Sequence, residues 1–179
     1  TLPRLPERVR AAAGATRGGK FLALGGTTSA GGGRQVFEYD VACGDIADRR
    51  PFAELDIDGI PDGMAIDADG CVWVAVFGGG QVRRYDPDGK LMATVELPVQ
   101  HPTSIAFGGA DLATMFVTTS RHKLSDAERT ERPDAGAVLV VDTGVRGRPG
   151  GVLSAAVAEA IAALPTNADP DDGPIVRSA

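Results

Sequence analysis

Cysteine is nearly missing from this 179-residue chain: Cys43 and Cys71 stand alone. No Cys-x-x-Cys or Cys/His spacing accompanies them, so neither a zinc site of that type nor a disulfide framework is encoded. Cys71 lies in an apolar run and reads as an inert core thiol. Positive charge is also in short supply. Eighteen Lys and Arg face 24 Asp and Glu, for a net charge of −6, and the basic pairs Arg49-Arg50 and Arg83-Arg84 are short. That excludes a binder of the nucleic-acid backbone. No apolar run approaches the ~18 residues of a membrane span, and the N-terminus has no apolar signal-peptide core. The expected setting is the cytoplasm, although a start at Thr1 rather than Met is compatible with a removed leader. Aromatic residues make up only 5% of the chain.

What the chain has instead is glycine, at 24 residues, and proline, at 12. That balance favours a turn-rich β architecture over a helical bundle. Short strands are expected at 20–24, 34–40 and 50–55, then at 72–77, 81–86 and 91–97, and again at 104–107, 114–119 and 137–142. A strand ending in Asp recurs: Val-Phe-Glu-Tyr-Asp at Asp40, Val-Arg-Arg-Tyr-Asp at Asp86 and Val-Leu-Val-Val-Asp at Asp142. A period of ~40–50 residues with four short strands per unit is the signature of propeller blades. Three units are visible. An open arc of three leaves sheet faces and edges unprotected, which calls for closure by further sequence or by self-association. The polar insertion 120–134 interrupts the third unit. Within it Ser125 and Glu128 have capping-box spacing and predict one helical turn, and His122 and, nearby, His101 read as solvated loop residues. Residues 1–17 read as an irregular lead-in and 18–151 as the partial propeller. Residues 152–164 have a helical apolar stripe, ended by Pro165, and a loose polar tail completes the segment 152–179.

The stretch around which the rest is organised is Ile60-Pro61-Asp62-Gly63-Met64-Ala65-Ile66-Asp67-Ala68-Asp69-Gly70, followed by the apolar run Cys71 to Phe77 with the one tryptophan, Trp73. Asp69-Gly70 has hairpin-turn chemistry. Asp62, held between Pro61 and Gly63 just ahead of the strands, can serve as a cation ligand, a base or a turn residue. Trp73, Phe77, Tyr39, Tyr85 and Phe107 read as packing between blades.

Gly59-Ile60-Pro61-Asp62-Gly63-Met64, Trp73-Val74-Ala75, Gly79-Gly80, Asp86-Pro87, Pro102-Thr103-Ser104, Phe107-Gly108-Gly109 and Met115 to Arg121 stand in an order that resembles the senescence marker protein/gluconolactonase (regucalcin-like) family, in its C-terminal half. The resemblance covers roughly residues 34–150. It implies an all-β fold: about three four-stranded blades of a six-bladed β-propeller, here with a short C-terminal helix. It also implies a divalent cation, calcium or zinc, in the central channel, and hydrolysis of a sugar lactone of the gluconolactone type. By the same resemblance Asp62 is both a metal ligand and the general base.

The family's other ligands, a Glu from the first blade and an Asn preceding the blade that opens here, have no matching positions. Gly25-Gly26-Thr27-Thr28-Ser29 stands where the family has an Asp-Ser pair. One carboxylate does not satisfy a hard cation that takes 6–8 oxygens. The chain alone is therefore expected to bind metal weakly and to show little or no lactonase activity. The alternative is a propeller-like binding scaffold without catalysis, or an inactive fragment.

Overall fold

The protein is described by a computed structural model that covers residues 14–17, 20–24, 27–28, 31–32, 35–42 and 45–150, with side chains for Val36 and residues 50–150. The chain divides into two compact units, Thr1–Pro149 and Gly150–Ala179. The helix expected at 152–164, the tail and Cys43 lie outside the described residues. In chain order the elements are β1 (Gly14–Arg17), β2 (Lys20–Leu24), β3 (Thr27–Thr28), β4 (Gly31–Gly32), β5 (Gln35–Ala42), β6 (Asp45–Glu54) and β7 (Ile60–Ile66), then β8 (Val72–Phe77), β9 (Gln81–Tyr85), β10 (Leu91–Glu96), β11 (Pro102–Gly108), β12 (Thr114–Thr119), α1 (Asp126–Glu131) and β13 (Val138–Asp142).

These strands form three antiparallel sheets in the orders β1-β2-β5-β6, β10-β9-β8-β7 and β11-β12-β13, with β3 and β4 as a separate hairpin. Each sheet corresponds to one repeat of the sequence. Two details differ from expectation. Gly14–Arg17, left in the irregular lead-in, is a strand of the first sheet. The third sheet has three described strands rather than four, and its last strand leaves Val138 and Val140 58% and 67% exposed.

The middle sheet is covered on both faces, and β8 shows why its sequence is continuously apolar. Side chains alternate across a strand. Val72, Val74 and Val76 pack on one side with Val36, Leu55 and Tyr85, while Trp73 and Ala75 pack on the other with Ile105, Met115 and Val117. Phe52 meets Tyr85 edge-on at 6.5 Å, and Trp73 meets Phe107 at 6.1 Å. These contacts join the middle sheet to its two neighbours.

The turns of the middle sheet follow one design, used twice. In Asp67-Ala68-Asp69-Gly70-Cys71 the Asp67 Oδ1 accepts from the N–H groups of Asp69 and Cys71, at 3.0 and 2.9 Å. In Asp86-Pro87-Asp88-Gly89-Lys90 the Asp86 Oδ1 accepts from Asp88 and Lys90, both at 2.9 Å. Each closes with a glycine at positive φ, Gly70 at 80° and Gly89 at 86°, where a side chain would be strained. This accounts for the recurring Asp at the strand end: its carboxylate builds the turn that follows. Asp142 repeats the first half of the pattern, accepting from the Gly144 N–H at 3.0 Å.

Asp67 does more than its counterpart. Its Oδ2 accepts from Trp73 Nε1 at 2.9 Å and from Arg84 Nε at 2.8 Å, so both oxygens of a fully buried carboxylate are satisfied. Arg84 extends to Asp69 at 2.9 Å and lies over the Trp73 ring. The segment after β13 crosses the same corner. Ala68 N–H donates to the Arg146 carbonyl, Arg148 N–H donates to the Ile66 carbonyl, and Asp67 and Gly147 form an isolated bridge.

Removing one partner of a buried, hydrogen-bonded charge pair leaves the other uncompensated. Asp67→Ala is therefore expected to lower unfolding stability by about 3–5 kcal/mol, against about 1 kcal/mol for Asp86→Ala, whose hydrogen bonds lie at the surface. Urea midpoints of the two variants check this, and equal losses would contradict it.

Candidate metal and catalytic site

Asp62 does not lie in a loop ahead of the strands. It sits within β7, at a bulge. Pro61 pairs with Val76 and Met64 with Val74, so Asp62 and Gly63 together face Ala75. A bulge of this kind bends the strand and re-aims the side chain it carries. Proline is tolerated because β7 is an edge strand of its sheet. Gly63 is needed for another reason. A Cβ there would lie 2.3 Å from Ser104 Oγ and 2.5 Å from Ser104 Cα, so the absence of a side chain lets β7 and β11 come together.

The Asp62 carboxylate is half-buried, and partial burial raises its pKa above the ordinary aspartate value. Asp56 and Asp67 are paired with guanidinium groups, and Asp86 with backbone N–H groups. The Asp62 side chain makes no hydrogen bond and no ion pair among the described residues. Ala75, which it faces across the bulge, has nothing to offer it.

Asp62 therefore suits a cation in kind, being a desolvated acceptor with free lone pairs. It does not suffice in number. Among the described residues no group of three or more His, Cys, Asp or Glu side chains converges. No described helix is long and apolar enough to cross a membrane.

The same end of the sheets carries the polar insertion. Phe77, which pairs with Ile60 at the start of β7, stacks on His101 with ring centroids 4.3 Å apart and planes at 5°. His101 is buried at 7% exposure, contrary to its reading as a solvated loop residue. Burial holds its pKa below the usual histidine range. His122 is exposed, as expected. The capping box forms: Ser125 accepts from the Glu128 N–H, and the Glu128 carboxylate accepts from the Ser125 N–H at 2.8 Å. Arg121 braces the insertion by donating to the Ala135 carbonyl. Cys71 is buried and free; burial and then the Asp67 charge push its thiol up, so it stays protonated and unreactive.

Two of these residues escaped the sequence reading. Asp67 could have been found from its spacing: an Asp two residues before Asp-Gly and six before the tryptophan repeats the Asp86 turn and adds an indole N–H within reach. His101 has no comparable signal, since its partner Phe77 lies in β8, distant from it in sequence.

Comparison with known proteins agrees with this geometry. The sequence model of the SMP-30/gluconolactonase/LRE-like region matches residues 27–121, more than half of the chain. Regucalcin of Oryctolagus cuniculus is 43% identical over 117 residues, which is 64% of this chain and 39% of that protein. YvrE of Bacillus subtilis, named as a sugar lactone lactonase, is 40% identical over 105 residues, 58% of this chain and 36% of its own length. In three dimensions, a calcium-binding regucalcin from Agrobacterium tumefaciens superposes with a TM-score of 0.65 at 28% identity, over 78% of this chain and 47% of that one. The chain thus spans about two-fifths of the curated relatives it matches and just under half of the solved one. Motif order, three repeated sheets and this extent of match lead to one assignment: the chain belongs to the SMP-30/gluconolactonase/LRE-like family.

Proposed function

We propose that this chain carries part of the site of a divalent-metal-dependent sugar lactone hydrolase, with Asp62 as both metal ligand and general base. The observation that carries the proposal is the Asp62 carboxylate itself: aimed by a bulge, half-buried and without a partner among the described residues. A calcium or zinc ion, when bound, polarises a lactone carbonyl and acidifies water. Asp62 would hold the ion through one carboxylate oxygen and accept a proton from water through the other.

A second reading, a binding scaffold without turnover, is supported by the shortage of convergent ligands among the described residues. Calcium or zinc titration and lactone hydrolysis, measured on the chain as it stands, separate the two. The expected result is weak cation binding, abolished by Asp62→Asn, with little or no turnover. Binding unaffected by Asp62→Asn would remove Asp62 from the site, and micromolar affinity with clear turnover would show that the described residues understate the ligand set.

Stability offers an independent check on the state of Asp62. A carboxyl whose folded pKa is raised contributes most below its unfolded value near ~3.9, and that contribution is lost as pH climbs through the folded value. In the absence of divalent cations, Asp62→Asn is therefore expected to raise the melting temperature at pH 7 by a few degrees. The gain should shrink towards zero below about pH 4. Thermal melts at both pH values test it, and a variant less stable than the parent at pH 7 would show that Asp62 has a stabilising partner.

A further inference from the structure

One valine recurs in the three sheets with surroundings that change along the chain. Val36, Val82 and Val138 each stand four residues before the strand-ending Asp40, Asp86 and Asp142. Val36 is 1% exposed and Val82 0%, but Val138 is 58% exposed. The first two are covered by the next sheet along. Val36 packs with Val72, Val74 and Tyr85 of the middle sheet, and Val82 packs with Ile105, Met115 and Val117 of the third. Val138 meets no further sheet among the described residues.

The strand register extends this from one residue to a face. With the bulges of β7 and β11 aligned, Phe116, Thr118, Val138 and Val140 hold the places of Trp73, Ala75, Val82 and Arg84. Trp73, Ala75 and Val82 are buried against the third sheet, whereas Thr118, Val138, Val140 and the adjoining Ala106 are exposed. Phe116 is half-buried among them. A contiguous apolar patch of this kind marks an interaction surface. At the opposite side of the arc, Val36 pairs with Leu24 and faces the middle sheet. Alternation along β2 and β5 then places Phe21, Ala23, Phe37 and Tyr39 on the face turned away from it. Their places correspond to Met115, Val117, Leu139 and Val141, with which the third sheet packs on the middle one. The two outer sheets thus carry the two halves of a contact that the chain makes twice within itself.

We propose that a second copy of this chain covers the open face. The third-sheet face of each copy, centred on Val138 and Val140, packs on the outward face of the first sheet of the other. Contact between two different faces repeats until it closes, and it forms open filaments where it does not. Closure at two copies follows from the length of the arc. The superposed residues account for 47% of the regucalcin from Agrobacterium tumefaciens, so two arcs supply close to one such length. Each contact removes a pair of apolar sheet faces from water, the same burial that joins the sheets within one copy. The pairing requires neither a cation nor a role for Asp62, and it stands or falls apart from the proposed activity.

Sedimentation equilibrium of the full chain across a concentration series tests this. The parent is expected to sediment at twice the chain mass. Val138→Lys/Val140→Lys is expected to lose the two-copy species. Both valines are already exposed in the single copy, so lysine there leaves its core intact. Met92→Lys, at an apolar residue of the middle sheet that is also exposed, should retain the two-copy species. Phe37→Lys, on the first-sheet face, should lose it as the double valine variant does, and Ala23→Lys carries that arm if Phe37→Lys does not fold. A parent that stays single throughout would overturn the inference, as would open-ended oligomers or a two-copy species that survives Val138→Lys/Val140→Lys. Loss on the valine side with full retention in the first-sheet variant would show two third-sheet faces meeting each other, and would overturn the pairing of unlike faces.

Discussion

The buried Asp67 carboxylate is the constraint on which the middle sheet depends. Its four hydrogen bonds fix the β7–β8 turn through Asp69 and Cys71, and they fix the sheet faces through Trp73 and Arg84. Register in a hairpin is set by its turn, and a slip of one residue would turn every side chain to the opposite face. In β8 such a slip would carry the Trp73 ring to the side that now takes Val72 and Val74. Both flanking cores are packed around the present arrangement, so neither could accept the exchange without voids or overlap. A charge is tolerated here because it has a guanidinium partner and full hydrogen bonding, the condition under which a buried ion is sustainable.

The same register decides what Asp62 can be. With the turn fixed at one end of β7, the extra residue of the bulge falls at Asp62-Gly63 and opposite Ala75. Two neighbours make the bulge workable. Pro61 sits on an edge strand, where a missing N–H costs little. Gly63 clears the space that Ser104 fills. The carboxylate at Asp62 is thus positioned by three things that are not chemistry at all: a turn, an edge and a missing side chain. A neighbouring group able to bond it would quench it, and the alanine across the bulge provides none.

Much of the fold was legible in the sequence for a physical reason. Short apolar strands ended by Asp-x-Asp-Gly or Asp-Pro-Asp-Gly announce their own boundaries, because carboxylate and glycine are what such turns require. Val72–Phe77 and Thr114–Thr119 were located to the residue, and the Ser125 capping box was visible from spacing alone. The bulge was not. A register shift is a relation between two strands and leaves no mark in one of them, so Asp62 looked like a loop residue. Strand β1 was hidden by its composition, Gly-Ala-Thr-Arg having little β propensity of its own. His101 does lie outside the strands, but it was misread as solvated because it stacks on Phe77 of β8, a contact distant in sequence.

The candidate site also explains how one carboxylate can be important and insufficient together. Asp62 has two oxygens, while calcium takes 6–8 oxygen ligands. Water can complete the shell, but each water leaves more of the ion's charge to solvent and less to the protein, so affinity follows the number of protein oxygens that converge. Zinc asks for fewer ligands, usually four, yet it favours nitrogen and sulfur donors that do not gather near Asp62 among the described residues. A half-buried carboxylate without a partner is a small destabilisation held in place by well-packed surroundings. It is relieved by protonation at low pH, or by positive charge arriving beside it. Cation affinity and apo-state stability are therefore opposed at Asp62, and any oxygen ligand added next to it shifts that balance towards the bound form.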